Sequence, residues 1–244
     1  MKIIIAFYIL AIAAIELIGI QWGNVVGLVG HALLIELLLS QYARNSQSEY
    51  RSVLLVLVLC PLLRILSFTI PFPEAPKVYW YAMVGLPLLI AIRLTYYTLQ
   101  ISLWQAVRLG AWKYQILVAA TGIPLSLLAY SIWEPNPLTQ NIPHRILIGV
   151  AFLTVFGAFT EEVLFRGLFQ DVAAPVVGSK MVVVYSSVLF AAMYLGSLSW
   201  GYVAFMGAVG LLWGWCVQRT GTIWGTVLAH SILSVGMLIV FPLM

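Results

Sequence analysis

The chain has 244 residues, of which 63% are hydrophobic and only 8% are charged, and its net charge is +4 at pH 7. A soluble domain carries about 25% charged residues, so this composition excludes a water-exposed globular protein. The small positive excess is typical of the loops of a membrane protein and predicts no nucleic-acid binding. We therefore expect an all-α protein, a polytopic bundle of transmembrane helices.

The apolar runs approach or reach the roughly 20 residues that cross a bilayer as a helix, and they lack the alternation of barrel strands. The first two runs could form one tight hairpin, so we expect eight or nine spans. The predicted spans are 3–20, 24–41, 52–71, 78–98, 114–133, 145–165, 180–198, 201–218 and 222–242.

Polar and proline-rich segments separate several of these spans, namely 42–51, 71–77 and 133–145. The N-terminal run follows Lys2 and has no clear small-residue cleavage site. We interpret it as a retained first span rather than a signal peptide.

The distribution of Lys and Arg predicts the orientation. In the nine-span arrangement, one side carries only Lys77 and Arg145, and the other carries Lys2, Arg44, Arg51, Arg108, Lys113, Lys180 and Arg219. The positive-inside rule then places the N-terminus in the cytoplasm. It also places Arg166, at the end of its predicted span, near the cytoplasmic face. The compact loops favour a bacterial-type plasma membrane, or another internal membrane.

Charges within spans are costly in a bilayer, so each one is expected to be paired or functional. Glu16 or Glu36 is predicted to pair with Arg64 and hold three helices together, while Arg93 lies near a span end and can reach the interface. His31 is predicted to be a hydrogen-bonded core histidine.

The segment "EEVLFRG" places two glutamates and an arginine in an apolar run. Adjacent helical residues point about 100° apart, so Glu161 and Glu162 cannot serve one face equally. Arg166 lies four residues beyond Glu162 and can bridge back to it, which leaves Glu161 free. A carboxylate in an apolar pocket suits a general base. The residues alone support a buried ion-pair cluster that locks helix packing equally well.

His230 and Ser234 lie four residues apart and therefore share one helix face. Such a pair could stabilise an oxyanion, or it could hydrogen-bond to a neighbouring helix.

Three segments together resemble a known family. "EEVLFRG" resembles the EExxxR motif of the CAAX-protease and bacteriocin-processing family of intramembrane glutamic proteases. "SSVLFAAMY" (186–194) resembles the segment that carries the family's FxxxH motif, and "GWCVQRTGTIWGTVLAHSILS" (214–234) resembles its terminal HxxxN or HxxxD segment. The resemblance divides one continuous membrane domain into N-terminal helices of unassigned role (1–140) and a protease-like core (141–244).

The resemblance implies a role for each matching residue. Glu161 would activate the attacking water, with Glu162 and Arg166 supporting it, and His230 would help to bind the tetrahedral oxyanion. It implies no metal and no other cofactor. The sequence also has no HExxH motif and only three histidines.

Two positions depart from the family pattern. Phe190 matches the motif-two phenylalanine, but Tyr194 occupies the place of the histidine, and Ser234 occupies that of the final Asn or Asp. Tyrosine, with an ordinary pKa of about 10, is a poor base at pH 7 but can hydrogen-bond to water. These departures put proton shuttling in doubt, and His31 is a minor candidate for the missing imidazole.

The favoured hypothesis is an intramembrane endopeptidase in which Glu161, Glu162, Arg166, Tyr194, His230 and Ser234 form the site, close to the cytoplasmic membrane face. Its expected partners are membrane lipid and a peptide or protein substrate. The alternative is a catalytically impaired relative that acts as a binding or scaffold protein. A transporter would show inverted repeats or broken helices in both halves, and the sequence shows neither.

Overall fold

The computed structural model describes residues 2–46, 50–69, 79–103, 107–135 and 147–244. Over these ranges it contains helices and no strand, which confirms the expected all-α class. Among the described residues, eight helices are long and apolar enough to cross a membrane: α1 (Lys2–Trp22), α2 (Asn24–Arg44), α3 (Arg51–Phe68), α4 (Tyr79–Thr98), α5 (Trp112–Ile132), α6 (Leu147–Val177), α7 (Ser179–Ser197) and α8 (Trp200–Thr220). A shorter apolar helix, α9 (Trp224–Val240), follows them.

Every predicted span has a helix, and the first two runs are separate helices. Gly23, whose φ of 106° suits glycine, joins α1 to α2. The predicted loop 71–77, most of 133–145, and the boundary between 140 and 141 lie outside the described residues, as do Lys77 and Arg145. The division into 1–140 and 141–244 therefore stays a prediction.

The largest difference concerns α6. The predicted span 145–165 stops at the motif, whereas the helix has 31 residues and continues to Val177. Its segment Val163–Phe169, directly after Glu162, is a π-helix, a form that often occurs at functional sites. In the sequence, an arginine at position 166 is typical of the end of a membrane span, but its side chain is buried inside the bundle.

Consecutive helices alternate in direction, which gives the bundle two distinct ends. Hydrogen bonds at one end join Gln218 to the carbonyl of Ser179, and Arg108 to the carbonyl of Gly221. We call this the basic end, because the residues at or near it include Lys2, Arg44, Arg51, Arg108, Lys113, Lys180 and Arg219. The opposite end contains the turn between α1 and α2 and the last residues of α5 and α7.

Small residues allow some of the helices to approach closely. A Cβ atom on Gly19 of α1 would lie 2.8 Å from the Cα atom of Gly27 on α2. A Cβ atom on Gly210 of α8 would lie 3.1 Å from Ser187 of α7. Such contacts are typical of membrane helices, where packing replaces the hydrophobic driving force. The main apolar core of the described residues runs from α1 to α9 and includes residues of both halves of the chain.

A buried ionic cluster fastens the first three helices together. Glu16 of α1 is fully buried and accepts two hydrogen bonds from Arg64 of α3, one of them from Nε at 2.7 Å. The Nε2 atom of His31 on α2 lies 3.3 Å from Glu16 Oε2. The predicted pairing of Arg64 and the hydrogen-bonded His31 are therefore confirmed, with Glu16 as the partner. Glu36 of α2 is exposed and takes no part in this cluster.

We expect Glu16→Gln to lower the free energy of unfolding by about 3 kcal/mol, because it leaves the Arg64 guanidinium without its counter-charge in a low-dielectric interior. Glu36→Gln, at an exposed glutamate of the neighbouring helix, is the matched control and should change stability by less than about 0.5 kcal/mol. Reversible unfolding in mixed detergent micelles measures both values. Equal effects of the two variants would contradict this assignment.

Candidate active site

Three helices bring the predicted site residues to one place. Glu161, Glu162 and Arg166 come from α6, Tyr194 from α7, and His230 and Ser234 from α9. Hydrogen bonds connect all of them except Ser234, which lines the same cavity without such a bond to any described residue. The six residues, spread over 74 positions of the sequence from 161 to 234, thus form one cluster.

Glu162 holds the buried side of this cluster together. Its Oε1 atom accepts a hydrogen bond from Arg166 Nη1 at 3.0 Å, and it lies 3.0 Å from His230 Nδ1. Its side chain is fully buried. The Arg166 guanidinium also lies 4.0 Å from the centroid of the Phe190 ring on α7, at cation–π distance. The i,i+4 bridge expected from the spacing is therefore present, and Glu162 is closed off from solvent.

Glu161 has a different environment. It is half-buried, and its Oε2 atom accepts a hydrogen bond from the Tyr194 hydroxyl at 3.0 Å. The same hydroxyl lies 3.4 Å from His230 Nε2. One continuous polar chain therefore runs from Glu162 through His230 and Tyr194 to Glu161.

Contacts on several sides fix the imidazole ring of His230. Its Nδ1 atom faces Glu162, and a carboxylate accepts hydrogen bonds only, so Nδ1 carries the hydrogen. Phe190 contacts the ring edge-on at a centroid distance of 5.7 Å, and the Trp213 ring centroid lies 5.5 Å away. Nε2 then points to Tyr194 and the cavity. His31, bonded to Glu16, does not line this cavity and supplies no second imidazole there.

A cavity of about 850 Å³ lies beside this chain of polar groups. Glu161, Tyr194, His230 and Ser234 line it, together with residues of α1 to α4. Its rim includes Asn24, Glu134 and Leu198, which are exposed and belong to the end opposite the basic end. The volume lies in the range of roughly 300–1,000 Å³ that ligand pockets occupy.

This position corrects one expectation. The sequence predicts a sixth span that ends at residue 165, which would place the site close to the membrane face that carries the N-terminus and the basic loops. The helix continues to Val177, so Glu161 lies near its middle, and the cavity opens at the other end. The large cavity and the N-terminus therefore lie at opposite ends of the bundle.

The comparison with known families identifies the segment that carries the motifs. Residues 143–236 match the family model described as Type II CAAX prenyl endopeptidase Rce1-like. This segment belongs to the CAAX protease family. The match includes all three motif segments and confirms the resemblance, and it begins after α1–α5. No significant match was found among curated proteins or among solved structures.

The CAAX-protease segment does not enclose its cavity alone. The N-terminal helices contribute Arg64, Trp80 and Tyr81, and Tyr202 of α8 contacts the Tyr194 ring edge-on at a centroid distance of 5.7 Å. Sequence reasoning assigned Arg64 only to helix packing and did not find the three aromatic residues. No spacing or motif in a single sequence distinguishes them from other buried aromatics.

A second, smaller cavity of about 380 Å³ lies at the basic end, lined by Arg108, Arg166, Gln170 and Asp171 among others. The Nε and Nη2 atoms of Arg166 and both amide atoms of Gln170 are buried and have no partner among the described residues. Buried polar groups of this kind are ordinarily satisfied by ordered water, so we expect this cavity to hold water.

In the part of the chain that the structure describes, no group of three His, Cys, Asp or Glu side chains is close enough to hold a metal ion. A structural zinc site takes four ligands and a catalytic one three, with histidine, cysteine and carboxylate as the usual types.

The two glutamates should differ in what they contribute to stability. Glu162→Gln leaves the buried Arg166 guanidinium without a counter-charge, and we expect it to cost about 3–5 kcal/mol. Glu161→Gln keeps an acceptor for the Tyr194 hydroxyl and should cost less than about 1 kcal/mol. Unfolding of both purified variants in one detergent tests this, and an equal loss from both would show that the carboxylates do not have separate roles.

Proposed function

We propose that this chain is an intramembrane endopeptidase of the CAAX-protease family in which Glu161 activates the attacking water. The observation that carries the proposal is the division between the two carboxylates. Glu162 is fully buried and bonded to Arg166 and His230, whereas Glu161 lines the large cavity. A general base must reach its water, and of these two residues Glu161 has that access.

The water would bind at the oxygen of Glu161 that Tyr194 leaves free. Tyr194 donates to Oε2, and Oε1 has no hydrogen bond to a described residue. Glu161 accepts a proton from this water as the water oxygen attacks the carbonyl carbon of the peptide bond. Tyr194 fixes the carboxylate orientation, so the base does not have to reorganise during the attack.

His230 and Ser234 are available for the carbonyl oxygen as it becomes an oxyanion. Both line the cavity beside Glu161. The Ser234 hydroxyl donates a hydrogen bond, and Nε2 of His230 donates when the imidazole is protonated, whereas the single hydroxyl hydrogen of Tyr194 is already donated to Glu161. Donors already held in place stabilise developing charge more effectively than mobile water does. The chain from Glu162 to His230 provides this preorganisation.

Collapse of the tetrahedral intermediate breaks the carbon–nitrogen bond. The amine nitrogen leaves with the bonding electron pair and takes up the proton that Glu161 received from water, which returns Glu161 to its carboxylate form. Tyr194, in place of the family's histidine, acts in this scheme as a hydrogen-bond donor, and Glu161 carries the proton alone.

The geometry of Tyr194 also supports the second candidate, an impaired relative that binds a membrane peptide without cutting it. Its hydroxyl contacts Glu161 directly, at 3.0 Å, at the position where the resemblance implies an imidazole that shares the catalytic water. If the phenol excludes that water, the cavity retains its binding capacity and loses hydrolysis. The effects of the Tyr194 variants below distinguish the two candidates.

We expect Glu161→Gln to lower the rate of peptide cleavage by about 10²- to 10⁴-fold, because amide groups accept no proton at neutral pH. Purified protein in lipid bilayers, incubated with a peptide library and analysed by mass spectrometry, measures this rate. Glu36 is an exposed glutamate far from the site in sequence, so the control variant Glu36→Gln should cleave like the wild type. Cleavage that survives Glu161→Gln at the wild-type rate would refute the assigned base.

Substitutions of Tyr194 test whether its hydroxyl positions Glu161 or excludes the catalytic water. Tyr194→Phe removes the hydroxyl and should slow cleavage by about 10-fold or more if the phenol positions Glu161, since a hydrogen bond to a charged group contributes roughly 1.5–3 kcal/mol. Inert wild-type protein together with active Tyr194→His would instead establish the impaired relative. The same bilayers and peptide library serve for both variants.

A further inference from the structure

The two cavities give access to different parts of the polar chain. The cavity of about 380 Å³ at the basic end includes Arg166 but none of Glu161, Tyr194 and His230 in its described lining. The cavity of about 850 Å³ includes these three residues but not Arg166. Within the described residues, therefore, the reacting carboxylate is reached from the end opposite the basic end.

A closed layer separates the cavities. Arg166, on the basic side, contacts Glu162, and Glu162 contacts His230, which lines the large cavity. Glu162 and the flanking Phe190 and Trp213 are all fully buried. Water or peptide entering from the basic end would have to break this ion pair and displace two aromatic rings to reach Glu161.

The charges of the chain differ strongly between the two ends. The basic end has seven Lys and Arg residues at or near it, as given above. Among the described residues that line the large cavity, Arg64 is the only Lys or Arg, and Glu16 offsets its charge. In the sequence, the segments that connect α3 to α4 and α5 to α6 carry one cation each, Lys77 and Arg145. Connections rich in Lys and Arg stay in the cytoplasm, so the basic end faces the cytoplasm.

We propose that the catalytic cavity opens on the non-cytoplasmic side of the membrane and takes peptide segments that have been translocated to that side. The catalytic role of the cavity rests on the proposed function, whereas the direction of its opening does not. A lipid-modified peptide held in the cytoplasm would meet the closed basic end and its smaller cavity.

The walls of the cavity indicate the chemistry of the segment. Trp80, Tyr81, Trp133 and Tyr202 supply large rings with polar tips, which pack well against apolar side chains and peptide groups. Arg64 is offset by Glu16, and the rim carries the exposed Glu134. An apolar peptide segment fits these walls, and a strongly acidic one does not.

Cysteine accessibility tests the direction without any need for cleavage. In a background with Cys60→Ala and Cys216→Ala, Asn24→Cys and Glu134→Cys report on the cavity rim, and Ser46→Cys and Leu109→Cys report on the basic end. All four positions are exposed. Intact bacterial spheroplasts producing each variant are treated with a membrane-impermeant maleimide polymer, and the labelled protein is detected by its gel shift, with and without permeabilisation.

We expect Asn24→Cys and Glu134→Cys to be labelled in intact spheroplasts, and Ser46→Cys and Leu109→Cys only after permeabilisation. The reverse pattern, or labelling of both ends in intact spheroplasts, would overturn the proposal. The proposed function can fail independently, because a protein inert towards peptides would still give the expected labelling. Conversely, active protein with the reverse labelling would support the proposed function and overturn the proposed direction of the opening.

Discussion

The site depends on a single buried carboxylate. Glu162 is completely removed from solvent, and one of its oxygens meets both the guanidinium of Arg166 and the imidazole of His230. An uncompensated charge at this depth would cost several kcal/mol, so the helices that supply the partners must remain together. Through Arg166 and its contact with Phe190, the same interaction extends from α6 and α9 to α7.

The local backbone makes this arrangement compatible with a reactive neighbour. Adjacent side chains on a helix point about 100° apart, so the buried direction of Glu162 turns Glu161 towards the cavity. The π-helix that begins at Val163 changes the pitch directly after the pair, and it carries Arg166. One carboxylate therefore holds the helices and the imidazole ring, while the other remains available to a ligand. The two roles are separated by one position in the sequence.

Much of this could be read from the sequence because it depends on local spacing. The apolar runs predicted the helices, the i,i+4 interval predicted the bridge between Glu162 and Arg166, and the scarcity of charge predicted a partner for Arg64. The end of α6 could not be read, because an arginine inside an apolar run resembles the end of a span unless its distant partners are known. The direction of the cavity depends on packing among all the helices, and no interval in the sequence encodes it.

Different parts of the chain supply the polar residues of the site and the walls of the cavity beside them. The segment that matches the family, 143–236, contains the whole polar chain from Glu162 to Glu161. The N-terminal helices lie outside that match, yet Arg64, Trp80 and Tyr81 come from them and form part of the cavity wall. The Glu16–Arg64 pair that fastens α1 to α3 therefore also holds one side chain of the cavity wall, Arg64, in place. Under the proposed function, changes in these helices would alter which peptide enters while Glu161 and its partners keep their geometry, so the family motifs alone cannot specify a substrate.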